Sequence, residues 1–265
     1  MMLKAAELPA FQNRAFASPL FTLRVLIARD LLKLVKDKAR LLGVVAQPLI
    51  FWLVIGSGFA PSVQLSSDGS ALNYMDYFFP GIIAMVVLFS SIFSSITIIE
   101  DRNAGLLQAV LVGPAERYML VLGKVLGSSL VSLLQVALLL LALPFTHVAL
   151  VQIDWLWLLY FLAIGAFAFV SLGFFFAWLL DSSAGFHGVM SVLLIPMWIV
   201  SGALFPPKGF IMETLAAINP MGWLFNGLRS SLGMCGATVP RDALLLFLFA
   251  TLCFSLSVWI CYRRR

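Results

Sequence analysis

Six stretches of this chain, at residues 41–60, 77–99, 125–151, 155–180, 186–205 and 243–262, each run for at least 20 residues without an Asp, Glu, Lys or Arg. About 20 apolar residues in a helix cross the hydrocarbon of a bilayer. A chain of 265 residues has no interior large enough to hide six such runs from water. Lipid-exposed backbone must satisfy its own hydrogen bonds, which leaves helices as the spanning elements for runs of this length. The expectation is therefore an all-α polytopic, multi-pass membrane protein with six transmembrane helices, forming a single transmembrane domain over residues 1–265. Composition agrees: 11% of residues are charged, against about 25% in a soluble domain. The third run is long enough to tilt, or to leave the membrane early at Pro144.

Charge placement sets the orientation. A net charge of +5 would suit a nucleic-acid partner, yet eight of the 17 Lys and Arg precede residue 41 and three more end the chain. Basic residues flanking apolar spans are a topology signal, so no nucleic-acid partner is expected. With the N-terminus inside, only Lys208, Arg229 and Arg241 fall outside. Residues 1–17 hold no continuous apolar core of secretory-signal length. Both termini and the polar stretch 100–124 are thus expected in the cytoplasm, with the spans in the cell (inner) membrane.

Three extramembrane elements punctuate the spans. Between the second and third runs, Leu106, Leu107, Val110 and Leu111 recur at helical spacing before Gly113-Pro114 breaks the pattern. That is a short amphipathic cytoplasmic helix. Before the first run, Ser18-Pro19 opens a helix over 18–38 with Leu20, Leu23, Ile27, Leu31 and Leu34 on one face and Arg29, Lys33, Lys36, Asp37 and Arg40 crowding another. Such a basic amphipathic helix can lie in the bilayer interface against anionic headgroups, or serve only as topology charge. Between the fifth and sixth runs, residues 206–242 are too apolar for a free loop and too broken for a span. Two short helices hinged at Asn219-Pro220, entered through Pro206-Pro207 and anchored by Arg229, would form an outer-leaflet re-entrant hairpin or a folded cap on the outer surface.

Catalytic chemistry is sparse, and no catalytic residue is assigned. No charged side chain falls within the six runs, so an ion-coupled carrier lacks its usual parts. His147 and His187 stand near span ends, and Cys235, Cys253 and Cys261 have no metal spacing, so no metal site is expected. Ser201-Gly202 matches only the end of a G-x-S-G protease pattern, with Ile199 at its first glycine, which leaves an intramembrane hydrolase a remote alternative. Gly123-Lys124 matches the end of a Walker motif, but Tyr118 and Val125 replace its first glycine and its Ser/Thr. The pattern fits a transport subunit powered by another chain; a membrane scaffold or receptor that transports nothing is the alternative.

The stretch 100–124 resembles the coupling region of type-2 ATP-binding-cassette (ABC) transporter permeases. The matching residues are Glu100 and Arg102, Gly105-Leu106, Leu111-Val112 with Pro114, Arg117, and Leu122-Gly123-Lys124, while Gln108 and Gly113 depart from the family pattern. Ser201 through Arg229, with its Phe-Pro exit and Asn-Pro hinge, resembles the family's fifth span and the segment after it. The resemblance implies two permease chains in a homodimer and two copies of a separate ABC ATPase, which bind the ATP and Mg that the permease itself does not. It implies a coupling helix around 105–111, formed by Gly105, Leu106, Leu107, Val110 and Leu111, seated in the ATPase and braced by the 18–38 helix. It also implies a pathway lined from spans one, two and five, with Phe51, Trp52, Phe89, Phe93, Met197 and Trp198 as candidates. Drugs, lipids, glycolipids and polysaccharides are the family's usual exported cargo.

Overall fold

The computed structural model describes residues 19–59, 65–67, 70–105, 117–180, 182–234 and 239–263. Among these, nine α-helices carry the chain: α1 (Pro19–Lys36), α2 (Lys38–Phe59), α3 (Tyr74–Asn103), α4 (Arg117–Leu140), α5 (Trp155–Leu179), α6 (Ser183–Trp198), α7 (Phe210–Ile218), α8 (Pro220–Ser231) and α9 (Val239–Arg263). Six of them, α2 to α6 and α9, are long and apolar enough to span a membrane. A three-residue antiparallel hairpin, β1 (Leu65–Ser67) with β2 (Ser70–Leu72), joins α2 to α3 in the register Leu65–Leu72.

Local sequence sets the helix ends. The side chain of Asn73 accepts from Met75 N, Asp154 from Leu156 and Trp157 N, and Ser182 from Gly185 N, so α3, α5 and α6 each start on a polar N-cap. The third span differs from expectation at both ends. Its helix begins at Arg117 rather than 125, taking in Lys124, and its α-helical part stops at Leu140. Pro144, which has no N–H to donate, sits in a 3-10 turn, Leu143–Phe145. The second span likewise continues past Ile99 to Asn103 and carries Glu100, Asp101 and Arg102.

Helix α3 is the axis of the bundle, packed by α2, α4, α5, α6 and α8. Within its span 83% of the apolar window is buried, against 28% for α2 and 22% for α6, so those two present most of their surface outward. Successive spans run antiparallel, which gathers the start of α4 and the ends of α3, α5 and α9 at one end with α1. That end is called the basic end below. The hairpin, α7 and α8 occupy the far end.

At the far end the two short helices join at Asn219-Pro220 as the sequence suggested: Asn219 caps α8 at Met221 N, and Pro220 takes the first helical position. α8 packs into the bundle on α5, α9 and α3. α7 stays outward, with Phe210 84% and Ile211 71% exposed. Helix α6 ends in a π turn, Ile199–Ala203, where Gly202 adopts φ +88.

Candidate functional site

The basic end holds a buried charge cluster built by three helices. Lys124 of α4 is fully buried and donates at 2.7 Å to Asp101 Oδ2 of α3 and at 2.9 Å to Asp30 Oδ1 of α1. Asp101 Oδ1 accepts from Lys33 Nζ at 2.9 Å and also from Arg29 Nη2. Both carboxylates are nearly buried, and buried charges persist only when paired and hydrogen-bonded. Backbone approach makes the cluster possible. A Cβ on Gly123 would stand 2.8 Å from Leu26, and one on Gly127 3.3 Å from the Cα of Ile27, so this Gly-x-x-x-Gly face of α4 lets α1 lie against it. Asp30 Oδ2 makes no hydrogen bond, and beside it lies a pocket of about 10 Å³ lined by Ser94, Thr97 and Ser128, the scale of a single water.

Arg29 and Lys33 therefore face the protein, a departure from the headgroup-facing orientation expected of them, because Asp101 needs partners more than the interface does. Lys36 is exposed, and Val25 and Leu32, 48% and 59% exposed, make a second apolar stripe on the outer side of α1.

The two arginines of the polar stretch grip other spans. Arg102 donates to Leu180 O at 2.7 Å and Trp178 O at 3.3 Å, closing the C-terminal end of α5. Arg117 donates to Cys261 O at 3.2 Å and Tyr262 O at 3.3 Å and lies over the Tyr262 ring, doing the same for α9. Cations suit these positions because helix C-termini leave carbonyls unpaired and carry partial negative charge. Gly105, with φ +73 and its N–H on Arg102 O, belongs to the turn that ends α3. Glu100 is exposed. Leu106, Leu107, Val110, Leu111 and Pro114 lie outside the described residues. The segment that contains them is thus framed by four tethers: Asp101 and Lys124 to α1, Arg102 to α5, and Arg117 to α9.

A second feature is a cleft of about 270 Å³ between α2, α3 and the π-broken end of α6, the first, second and fifth spans. Phe51, Phe89 and Trp198 line it together with Gln47, Ile55 and Met85. Trp198 donates its indole N–H to Gly81 O at 2.9 Å, leaving its ring for the wall. The other three pathway candidates lie elsewhere. Trp52 is buried in the α2–α3 seam, bonded to Met75 O and edge-on to Phe79. Phe93 packs against His187, and the carbonyl of Met197 accepts from Asn219 Nδ2. Pro206 and Pro207 are half-buried in the stretch between the π turn and α7. Arg229 stacks 4.8 Å over the ring of Tyr77, whose hydroxyl donates to Gly202 O at 2.6 Å. Among the described residues, no three His, Cys, Asp or Glu side chains gather closely enough to hold a metal ion.

Sequence reasoning missed Asp30, Asp101 and Lys124. The signal was present in two places: Asp30 sits between Leu26 and Leu34 on an apolar face, and Gly123 and Gly127 share one face of α4. A carboxylate in the middle of an apolar stripe demands a buried cation.

A bundle of six membrane-capable helices, with its charged side chains concentrated in bonds at one end and an apolar cleft between spans, is the architecture of a membrane transport component. The chain belongs to the ABC-2 type transporter family, whose model matches residues 22–233, from α1 to the turn after α8. It is also similar to a Cyanophora paradoxa protein named "Putative transport permease ycf38", at 25% identity over 247 residues covering 85% of this chain and 83% of the relative. The protein is thus the membrane component of a transporter and not itself the ATPase, and its family implies an ATPase partner.

Proposed function

We propose that this chain is the permease of an exporter that moves a drug-like, lipid, glycolipid or polysaccharide cargo by alternating access. Two copies of the chain face each other in the cell (inner) membrane, with both termini cytoplasmic, and two copies of a separate ATPase bind ATP and Mg beneath them. The residues 105–111 receive the ATPase's closing motion, and α3 and α4 carry it to the cleft between spans one, two and five. The export direction rests on the resemblance of the polar stretch to the type-2 permeases.

The four tethers around residues 106–116 are the observation that supports this reading most. A push on that segment displaces α1 through Asp101 and Lys124. It displaces α5 through Arg102 and α9 through Arg117. Replacing Leu106 and Leu107 with Asp removes the apolar contact each supplies to a partner, roughly 1.5–3 kcal/mol per buried Leu. The expected result is loss of ATPase co-purification and of transport with normal membrane insertion. Retention of both would refute the coupling role.

A further inference from the structure

The connector between α4 and α5 carries an apolar surface that extends past both spans. Residues 125–153 contain no Asp, Glu, Lys or Arg. The outward stripe of α4, Leu130, Leu134 and Leu138, runs on into Leu141 and Phe145 at helical spacing. Phe145 is 79% exposed and Val151 97%, and after the connector Trp155 and Leu156 open the outward face of α5. Exposed side chains this apolar, flanked on both sides by lipid-facing helix surface, continue the area that the bilayer already covers.

The backbone of the connector suits the same surroundings. Among lipid chains an N–H needs a partner within the protein. Leu141, Ala142, Phe145 and Thr146 donate to carbonyls three residues back, and His147 N donates to Asp76 Oδ1 at 3.0 Å. Pro144 has no N–H to satisfy. On the inner side Leu143 and Ile153 are buried, and Asp154 N donates to Ser231 O at 2.8 Å. The connector is thus fixed to α3 and α8 while its outer side stays bare.

His147 gives this surface a specific chemistry. Asp76 is buried in the first turn of α3, and its Oδ2 lies 3.0 Å from His147 Nδ1. A carboxylate only accepts, so the neutral imidazole keeps its proton on Nδ1 and presents Nε2 as an acceptor. The ring is 79% exposed, which leaves Nε2 open to the surroundings. The Asp76 charge behind the ring strengthens Nε2 as an acceptor and favours a cationic donor. We propose that residues 141–153 seat in the leaflet at the far end, and that His147 Nε2 accepts a hydrogen bond from the primary ammonium of a phospholipid headgroup. A quaternary ammonium has no N–H to donate and is not held. On the orientation proposed above this is the outer leaflet; the site itself depends neither on that orientation nor on transport.

Two measurements on the full chain in lipid nanodiscs test the proposal. A spin label at Val151→Cys, in a background without the three native cysteines, reads collisions with oxygen, which concentrates in lipid, and with a water-soluble nickel chelate. High oxygen and low nickel accessibility, matching a label at Leu248→Cys on the outward face of α9, is the expected result. Nickel accessibility as high as at the exposed Glu100→Cys would overturn the seating. Low accessibility to both reagents would overturn it too, because protein would then cover the connector.

The headgroup is read by native mass spectrometry of protein released from equal parts dioleoyl phosphatidylethanolamine and dioleoyl phosphatidylcholine, counting the last lipid retained. The wild type should keep the ethanolamine lipid about tenfold over the choline lipid, the effect of one hydrogen bond to a charged group. His147→Asn keeps an N–H for Asp76 and removes Nε2, so it should retain the two lipids equally. Equal retention by the wild type would overturn the headgroup site whether or not the variant folds. An ethanolamine preference unchanged in His147→Asn would overturn it as well.

Discussion

Replacing Lys124 with Met tests whether the buried charge cluster holds α1 to the bundle. Met preserves the unbranched apolar stem, so little cavity forms. What is lost is the ammonium group and its two bonds, at 2.7 and 2.9 Å. Asp101 keeps Arg29 and Lys33. Asp30 keeps no partner, since its other oxygen makes no hydrogen bond. Breaking a buried pair from one side costs about 3–5 kcal/mol, whereas replacing both partners by apolar groups is often neutral. The single variant should therefore release α1. Trypsin cleavage at the exposed Lys36 and Lys38, the short joint between α1 and α2, should accelerate strongly in purified protein, and the midpoint of thermal unfolding should fall. The double variant Lys124→Met with Asp30→Leu should recover most of the protection. Equal protection of wild type and Lys124→Met would refute the argument, and so would a double variant worse than the single.

Three further outcomes follow from the same geometry. Gly127→Leu forces a side chain where even a Cβ stands 3.1 Å from Asp30 Oδ2; overpacking of about 1–3 kcal/mol should appear as lowered thermal stability and displaced α1, while the same change at the open Gly43 should be silent. Arg117→Met frees the last carbonyls of α9, and should cost about 0.5–2 kcal/mol and raise hydrogen exchange at residues 259–263, with Lys restoring part of the loss. Tyr77→Phe leaves Gly202 O without its buried donor, costing about 1–3 kcal/mol, and should loosen the π turn as read by cysteine accessibility at Ser201→Cys.

The fold was legible where the physics is local. Six apolar runs and the Asn219-Pro220 hinge are properties of short windows, and each appears in the structure near its expected place. The site was legible only in part, because it depends on partners far apart in the chain. Hydropathy scores Lys124 as a residue for water; Asp30, 94 positions away, makes it a residue for the interior. The same blindness placed the start of the third span eight residues late, and turned Arg29 and Lys33 toward headgroups instead of Asp101. Within the spans the difficulty is different. A helix apolar on every side has no pattern to mark its inner face, so Phe51 and Trp52 are neighbours in sequence while one lines the cleft and the other is bonded into the α2–α3 seam. The β1–β2 hairpin was missed although Asp68-Gly69 between its strands is a strong two-residue hairpin sequence.

The central claim is that work done on residues 105–111 by a separate ATPase reaches the spans through α3 and α4. Spin labels at Glu100→Cys, an exposed site at the base of α3, in a background without the three native cysteines, measure it directly in the complex with the ATPase. The account predicts a separation between the two copies' labels that changes when ATP binds, and a change that vanishes when the Leu106→Asp, Leu107→Asp variant, which no longer holds the ATPase, is mixed with ATPase and ATP. A label separation indifferent to ATP, or one that still responds in that variant, would contradict it.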